Sequence, residues 1–360
     1  MDDDLVVSAA ELTERATDYL VARGAPLREA RVQATHLVEA ELRGHPSHGL
    51  RRLTVLGERI ARGVLEPAAE PELTWVAQAA LRVDGRGGFG PVAAYAAIDA
   101  LRDRLDETGV AVASLHNTHH LGMLAPYVER ICAEGAAGLV LSSTEGLVHP
   151  WGGAGALLGT NPIGIGIPAA GGDLIVDMSS GAVSAGKILD YRARGLPLPE
   201  GWAVDAAGEP TTDAAAAAEG AISPFGGAKG YALGLAFGSL VGALTGTAYG
   251  PAVRGTLDAE TPTTKGDVIV VFHAALLAGG DERAALGAYL DAVRASGVRG
   301  PATIPGDRAR TARGAHVRDG VRIAADVWAL IAPATASATE PEAEAEAEPE
   351  NETGEEDVPS

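Results

Sequence analysis

The chain has 360 residues, 46% of them hydrophobic, which suffices for a substantial buried core and excludes a disordered or fibrous body. Its formal charge of −20 is unevenly spread: Glu340 to Asp357 carries ten acidic residues and no Lys or Arg, leaving −10 for everything else. A net acidic body with no Lys/Arg run interleaved with aromatics has no broad attraction for phosphate backbones, so a nucleic-acid partner is not expected.

The N-terminus, Met1-Asp-Asp-Asp-Leu5, is acidic where a secretory leader is basic, so the mature chain is expected to begin near residue 1. Ser8 and Glu11 have capping-box spacing, with Val7 and Leu12 placed as a hydrophobic staple. Residues 8 to 43 read as two amphipathic helices separated by Gly24-Ala-Pro26, and Gly44-His-Pro46 stops the second. A third helix is expected from Ser47, as N-cap, to about Arg62, and a first strand at Glu72 to Val76. Helical stretches such as Pro91 to Thr108 then alternate with apolar runs at Val110 to Leu115, Gly138 to Ser142, Ile163 to Ile167 and Leu174 to Val176, the pattern of an α/β sheet covered by helices. The only cysteine, Cys132, cannot form an internal disulfide and reads as a small buried hydrophobe, which points to a reducing, cytoplasmic setting.

Residues 190 to 228 are rich in Pro, Gly and Ala and read as a long surface excursion. Gly230 to Val253 lacks charge, with glycine at 230, 234, 238, 242 and 246; on a helix this spacing makes a groove for close backbone approach. No positively charged loop cluster flanks it, so a tightly buried helix is expected and membrane insertion is not. The sheet resumes at Val268 to Phe272, a last helix runs from about Ala324 to Ile331, and the Glu/Ala tail should be disordered. The domains expected are a helical lobe (1–80), an α/β cofactor-binding domain (81–303), a C-terminal turn and helix packing back on the lobe (304–335), and the acidic tail (336–360).

Three groups of residues could carry chemistry. In Ser47-His48-Gly49-Leu-Arg-Arg52, His48 and Arg52 are four apart and off the apolar stripe, so packing alone does not require them. Arg52, with Arg59 on the same side, is either a solvated face or a guanidinium that grips a carboxylate through paired hydrogen bonds. His116-Asn-Thr-His119-His120-Leu-Gly122 ends a strand, where open α/β sheets place their sites. No H-E-x-x-H, C-x-x-C or acidic cluster accompanies these histidines, so no metal is assigned; a metal-dependent hydrolase built on His116 to His120 is the weaker alternative, and proton transfer by imidazole fits better. The glycine-bearing segments Trp151 to Gly155, Leu158 to Pro162 (with Thr160 and Asn161), Asp177 to Lys187 and Phe225 to Tyr231 offer amides, hydroxyls or a lysine to a pyrophosphate. No strand-G-x-G-x-x-G-helix unit is present, which argues against an ordinary Rossmann domain.

At these residues the sequence resembles the second, non-Rossmann family of malate/L-lactate dehydrogenases, which includes ureidoglycolate and sulfolactate dehydrogenases and cyclic-imine reductases. Eleven elements occur in order: Gly44-His-Pro-Ser-His-Gly49 with Arg52, Val83-Asp-Gly85, Asn117 to Gly122, Pro150-Trp-Gly-Gly153, Leu158-Gly-Thr-Asn-Pro162, Asp177-Met-Ser-Ser180, Gly186-Lys187, Pro199-Glu-Gly-Trp202, Pro210-Thr-Thr-Asp213, Gly226 to Gly230, and Ile304-Pro-Gly-Asp-Arg308. The resemblance implies a homodimeric, NAD- or NADP-dependent oxidoreductase acting on a small carboxylate, with a non-Rossmann layered sheet domain beside a helical lobe. It implies that His120 is the catalytic histidine and that Ser47, His48, Arg52 and His119 surround the substrate. Asp177, Met178, Ser179, Ser180, Lys229 and the turn carrying Gly306, Asp307 and Arg308 would lie along the cofactor, with Thr160, Asn161 and Lys187 beside them. The chain departs from the family pattern at Ser142 to Gly146, where Thr-Asn is common, and at His149, where a small residue is common.

Overall fold

A computed structural model describes residues 4–332; the expected acidic tail, 336–360, lies outside the described residues. A seven-stranded sheet forms the centre, in the order Glu72–Ala77, Ala80–Gly88, Val110–Thr118, Asp267–Phe272, Ala137–Ser142, Ile163–Ile167, Leu174–Met178. Only Ala80–Gly88 and Val110–Thr118 run parallel, joined by the helix Gly90–Thr108; every other neighbouring pair is antiparallel. The last long strand in the chain, Asp267–Phe272, therefore sits in the middle; its first residue pairs with Ser142, the end of one neighbour, and with Leu115, near the end of the other. Non-local closure of this kind brings distant segments to one edge of the sheet.

Strict alternation explains how both faces are filled. Ala111, Ala113 and Leu115 face the helices Gly90–Thr108 and Ala125–Cys132, together with Val140, Ile269 and Val271. Val112, Leu139, Val268 and Val270 face the other way, against Phe237 and Val241 of the helix Ala228–Thr245. This helix is the glycine-rich one, and the reason for its spacing is visible. A Cβ at Gly230 would lie 1.6 Å from the Phe225 carbonyl oxygen, one at Gly234 2.6 Å from Ser180 Oγ, and one at Gly238 2.4 Å from Asn161 Nδ2. Gly238→Ala is expected to destabilise the fold by about 1–3 kcal/mol through overpacking, read as a lowered urea midpoint. The expectation of a tightly buried helix is met on one face only: the glycine face is buried within the chain, while Leu233, Leu235, Leu240 and Leu244 are about half exposed. None of the helices among the described residues is long and apolar enough to cross a membrane.

The N-terminal helices Ala9–Val21 and Leu27–Leu42 form as expected, the first capped by Ser8, whose Oγ accepts Glu11 N–H at 3.2 Å. Leu12, Leu20, Leu50 and Leu53 are fully buried there, each contributing about 1.5–3 kcal/mol. The same core takes in Val321, Ile323, Val327 and Ile331, because Leu5–Val7 pairs antiparallel with Val321–Ile323. Arg43 bridges this lobe to the sheet helices: it is buried and paired with Glu39 and Glu129, while Arg313 grips Glu39 at 2.9 and 2.8 Å.

Residues 190–228 are not an irregular excursion. They supply the strands Ala203–Val204, Pro210–Thr211 and Ala221–Ile222 and the helix Ala214–Glu219, which join Gly146–Val148 and Leu158–Gly159 in a five-stranded sheet. Its small core contains Val148, Ile188, Leu198, Ala203 and Ile222. Two-residue strands are too short to leave a periodic signal in the sequence.

Candidate active site

The third helix starts later than expected. Pro46–His48 is a single 3-10 turn, Gly49 is extended, and the helix runs Arg52–Ala61. Glu41 causes the break: its Oε1 accepts Leu50 N–H at 2.8 Å, and a Cβ at Gly49 would lie 2.1 Å from that oxygen. Ser47 is thereby released from the N-cap role, and its Oγ lies 3.1 Å from His48 Nδ1.

On the sheet side, Val110–Thr118 delivers His119 and His120 just beyond its end, after Asn117 takes φ = 50°. The His119 and His120 carbonyls lie against the first turn of Gly90–Thr108, where a Cβ at Gly90 would approach them to 2.4 and 2.7 Å, so only glycine fits. The two imidazoles then part. His119 is buried, accepting Arg59 Nε–H at 3.2 Å on Nδ1 and reaching the Val64 carbonyl at 2.9 Å from Nε2. His120 stacks on His48, ring centroids 5.7 Å apart and planes at 27°. His116 faces Asp84, 3.7 Å away. The three histidines thus occupy three environments, and among the described residues no group of three or more His, Cys, Asp or Glu side chains is arranged to hold a metal ion.

Arg52 completes the cluster. Its charge acts on both His48 and His120, and burial together with that charge holds His48 down to about 4 and His120 well below the usual imidazole range. Both rings are therefore neutral at physiological pH. Arg52 donates one N–H to the Thr256 carbonyl at 2.9 Å, and its remaining guanidinium hydrogens have no protein acceptor among the described residues. Glu145 holds the same loop from the other side, its Oε1 accepting the amides of Thr256 at 2.6 Å and Leu257 at 3.0 Å. Glu145 belongs to the segment Ser142 to Gly146, where the chain departs from the family pattern. Arg59, expected on a solvated face beside Arg52, is instead buried and donates to the carbonyls of Asp258 and Thr261 as well as to His119. His119 is accordingly a buried partner of Arg59.

The residues expected along a cofactor follow the edge strand Leu174–Met178 and its continuation to Ser180, a run of about 17 Å at ~3.3 Å per residue from Ile175. Gly306 packs on the Ile175 backbone at one end, and Ser180 meets Gly234 at the other. Several of these side chains are already committed. Asp177 Oδ2 caps the helix Ala125–Cys132 by accepting the amides of Leu124 and Ala125, each at 2.8 Å. Asn161 bonds Thr144 N and the Gly234 carbonyl, and Ser180 Oγ donates to the Thr160 carbonyl at 2.9 Å. Asp307 is gripped by Arg294 at 2.9 and 3.0 Å and by Arg310 at 2.8 Å. Lys187 lies over the Trp202 ring at 5.0 Å, one residue from Gly186, which approaches Ser47. Met178, Ser179, Lys229 and Arg308 remain accessible in the chain, and the two cations among them suit the phosphates of a dinucleotide. A cavity of about 820 Å³ adjoins the small sheet, lined by His149, Trp151, Ser223 and Gly227 among others, and His48, Arg52 and His120 do not line it.

The malate/L-lactate dehydrogenase family model matches residues 7–332. The chain is 33% identical over 302 residues to the L-sulfolactate dehydrogenase of Methanothermobacter thermautotrophicus, covering 84% of this chain and 88% of that protein. It is 38% identical over 234 residues to a delta(1)-pyrroline-2-carboxylate reductase of Ancylobacter novellus, covering 65% and 69%. A dehydrogenase from Sinorhizobium meliloti of known structure superimposes with a TM-score of 0.86 at 45% identity, over 92% of this chain and 99% of that one. Sequence, fold and the ordered motifs agree, and the chain belongs to the malate/L-lactate dehydrogenase family of oxidoreductases.

Proposed function

We propose that this protein interconverts a small 2-hydroxy acid and its 2-oxo acid with NAD or NADP, His120 carrying the proton while Arg52 and His48 hold the carboxylate. The observation that supports this most is the stacking of His120, from the sheet, on His48, from the helical lobe, with the Arg52 charge beside both. Substrate would then sit between lobe and sheet domain. A guanidinium with free N–H groups grips a carboxylate through charge-assisted bonds worth about 1.5–3 kcal/mol each. When bound, the nicotinamide supplies or accepts the hydride.

The proton is handled by the chain's own imidazoles. Gly122 N–H donates to His120 Nδ1 at 3.2 Å, so the neutral ring holds its proton on Nε2, positioned for a substrate oxygen. Accepting a proton from a hydroxyl needs the Nε2 lone pair, hence the other tautomer, and a 3.2 Å contact to a backbone amide is readily given up. His48 can follow either way, because the Ser47 hydroxyl facing its Nδ1 can donate or accept.

Likeness to a pyrroline-2-carboxylate reductase supports a second reading, reduction of a cyclic imino acid, in which the same clamp presents nitrogen instead of oxygen to His120. Assaying a panel of 2-oxo acids and cyclic imino acids with NADH and NADPH, by loss of reduced-cofactor absorbance, separates the two. Turnover of none of them with either cofactor would refute both.

The same proposal includes a homodimer. Leu233, Leu240 and Leu244 lie seven and four residues apart on one stripe of the glycine-rich helix, an exposed apolar face of the kind that a second subunit covers. Leu240→Glu is expected to shift the protein from dimer to monomer in light scattering; an unchanged mass would remove this face from the interface.

A further inference from the structure

Asp267 opens the central strand at the site edge of the sheet, and it is fully buried together with Lys265 two residues earlier. Asp267 Oδ2 accepts from the Lys265 ammonium and, at 2.9 Å, from the Thr118 hydroxyl, which itself lies 3.4 Å from Lys265 Nζ. Thr118 is the residue immediately before His119-His120. Between the pair, Gly266 exchanges hydrogen bonds with Ser143, at 3.0 Å in each direction, at the head of the segment that carries Glu145. One tripeptide therefore holds both turns that build the site. The other carboxylate oxygen, Asp267 Oδ1, is buried with no hydrogen-bond partner among the described residues.

A buried ion pair is an uneconomical way to join two strands, because desolvation of both charges offsets most of their attraction and an apolar pair of the same size often does as well. Its presence behind a proton-carrying imidazole calls for a reason other than stability. We propose that Lys265 and Asp267 are positioning residues for His120: through Thr118 they fix the His119-His120 turn that presents its ring. The charged and titratable groups facing His120 are Arg52 and His48 from the lobe, Lys265 from the segment entering the central strand, and His36 from the helix Leu27–Leu42. Arg52 is the one that a substrate carboxylate neutralises, whereas Lys265 is already paired with Asp267. The substrate-free ring is thereby held neutral, and a substrate carboxylate relieves only the Arg52 contribution. This rests on the proposed role of His120.

The test compares pH profiles of kcat/KM for wild type, Lys265→Met with Asp267→Leu together, Thr118→Val, and His120→Asn. The double variant removes both charges with little change of volume and is expected to stay folded. Its kcat should fall at least tenfold with KM for the carboxylate within about threefold of wild type. Thr118→Val keeps the pair but cuts its link to the turn, so it should lower kcat in the same way. Should the double variant fail to fold, histidine-labelled Thr118→Val followed by NMR still decides: an altered His120 ring environment supports the link, and an unchanged one overturns it. A double variant with wild-type kcat and a superimposable profile overturns the proposal. Wild-type turnover in His120→Asn would instead overturn the role of His120 itself, so the two failures are distinct.

Discussion

His120→Ala is expected to lower turnover by about 10²–10⁴-fold, the usual contribution of one positioned proton carrier, while the dissociation constant for NADH or NADPH changes little. Steady-state rates together with a fluorescence titration of the reduced cofactor check both halves, and near-normal turnover would exclude His120 as the carrier. The geometry adds a sharper expectation for wild type. Burial first, and then the Arg52 charge, hold His120 below the ordinary range in the free protein. A substrate carboxylate on Arg52 cancels much of the second cause and none of the first. The acid-limb pKa seen in kcat, which reports the substrate complex, should therefore lie above the one seen in kcat/KM, which reports the free enzyme.

Acid should unfold this protein earlier than its carboxylates alone would dictate. His36 is sandwiched between Tyr127, stacked at 4.6 Å, and Tyr95, and burial holds it down to about 3; His119, beside the Arg59 guanidinium, is also held to about 3. Both rings are almost fully buried. A histidine with a folded value below its unfolded 6.5 binds fewer protons in the native state, so its contribution is complete above that unfolded value and is lost as pH falls toward the folded one. Integrated to about pH 5, each ring costs roughly 2 kcal/mol, and the two together about 4 kcal/mol, a large share of a typical net stability. The urea midpoint should fall steeply between about pH 7 and pH 5, and His36→Gln should flatten that fall even if it lowers stability at neutral pH. A midpoint independent of pH across this window would show that neither ring is buried neutral.

What the sequence carried was local. Apolar period and punctuation placed the first two helices, the helix ending at Thr108 and the strands from Val110 onward, because each depends on residues within a few positions of one another. The ordered motifs carried the family, and with it a short list of residues near which the site would lie. The identity of a partner is a different kind of information. Arg59 meets a histidine 60 residues away and carbonyls about 200 away, Glu145 caps amides 111 residues on, and Lys265 reaches a threonine 147 residues earlier. No periodicity encodes such pairings; closure of the sheet around its late central strand creates them. That closure turned His119 inward while leaving His120 against His48. It also let the Glu41 carboxylate, bonded to an amide nine residues on at Leu50, break the helix at Gly49, so that Ser47 faces His48 instead of capping a helix. The residues capable of chemistry were readable one by one, whereas their division into those left accessible and those locked into buried hydrogen bonds was decided by tertiary packing, since each buried polar group had to find its partner wherever the fold placed one.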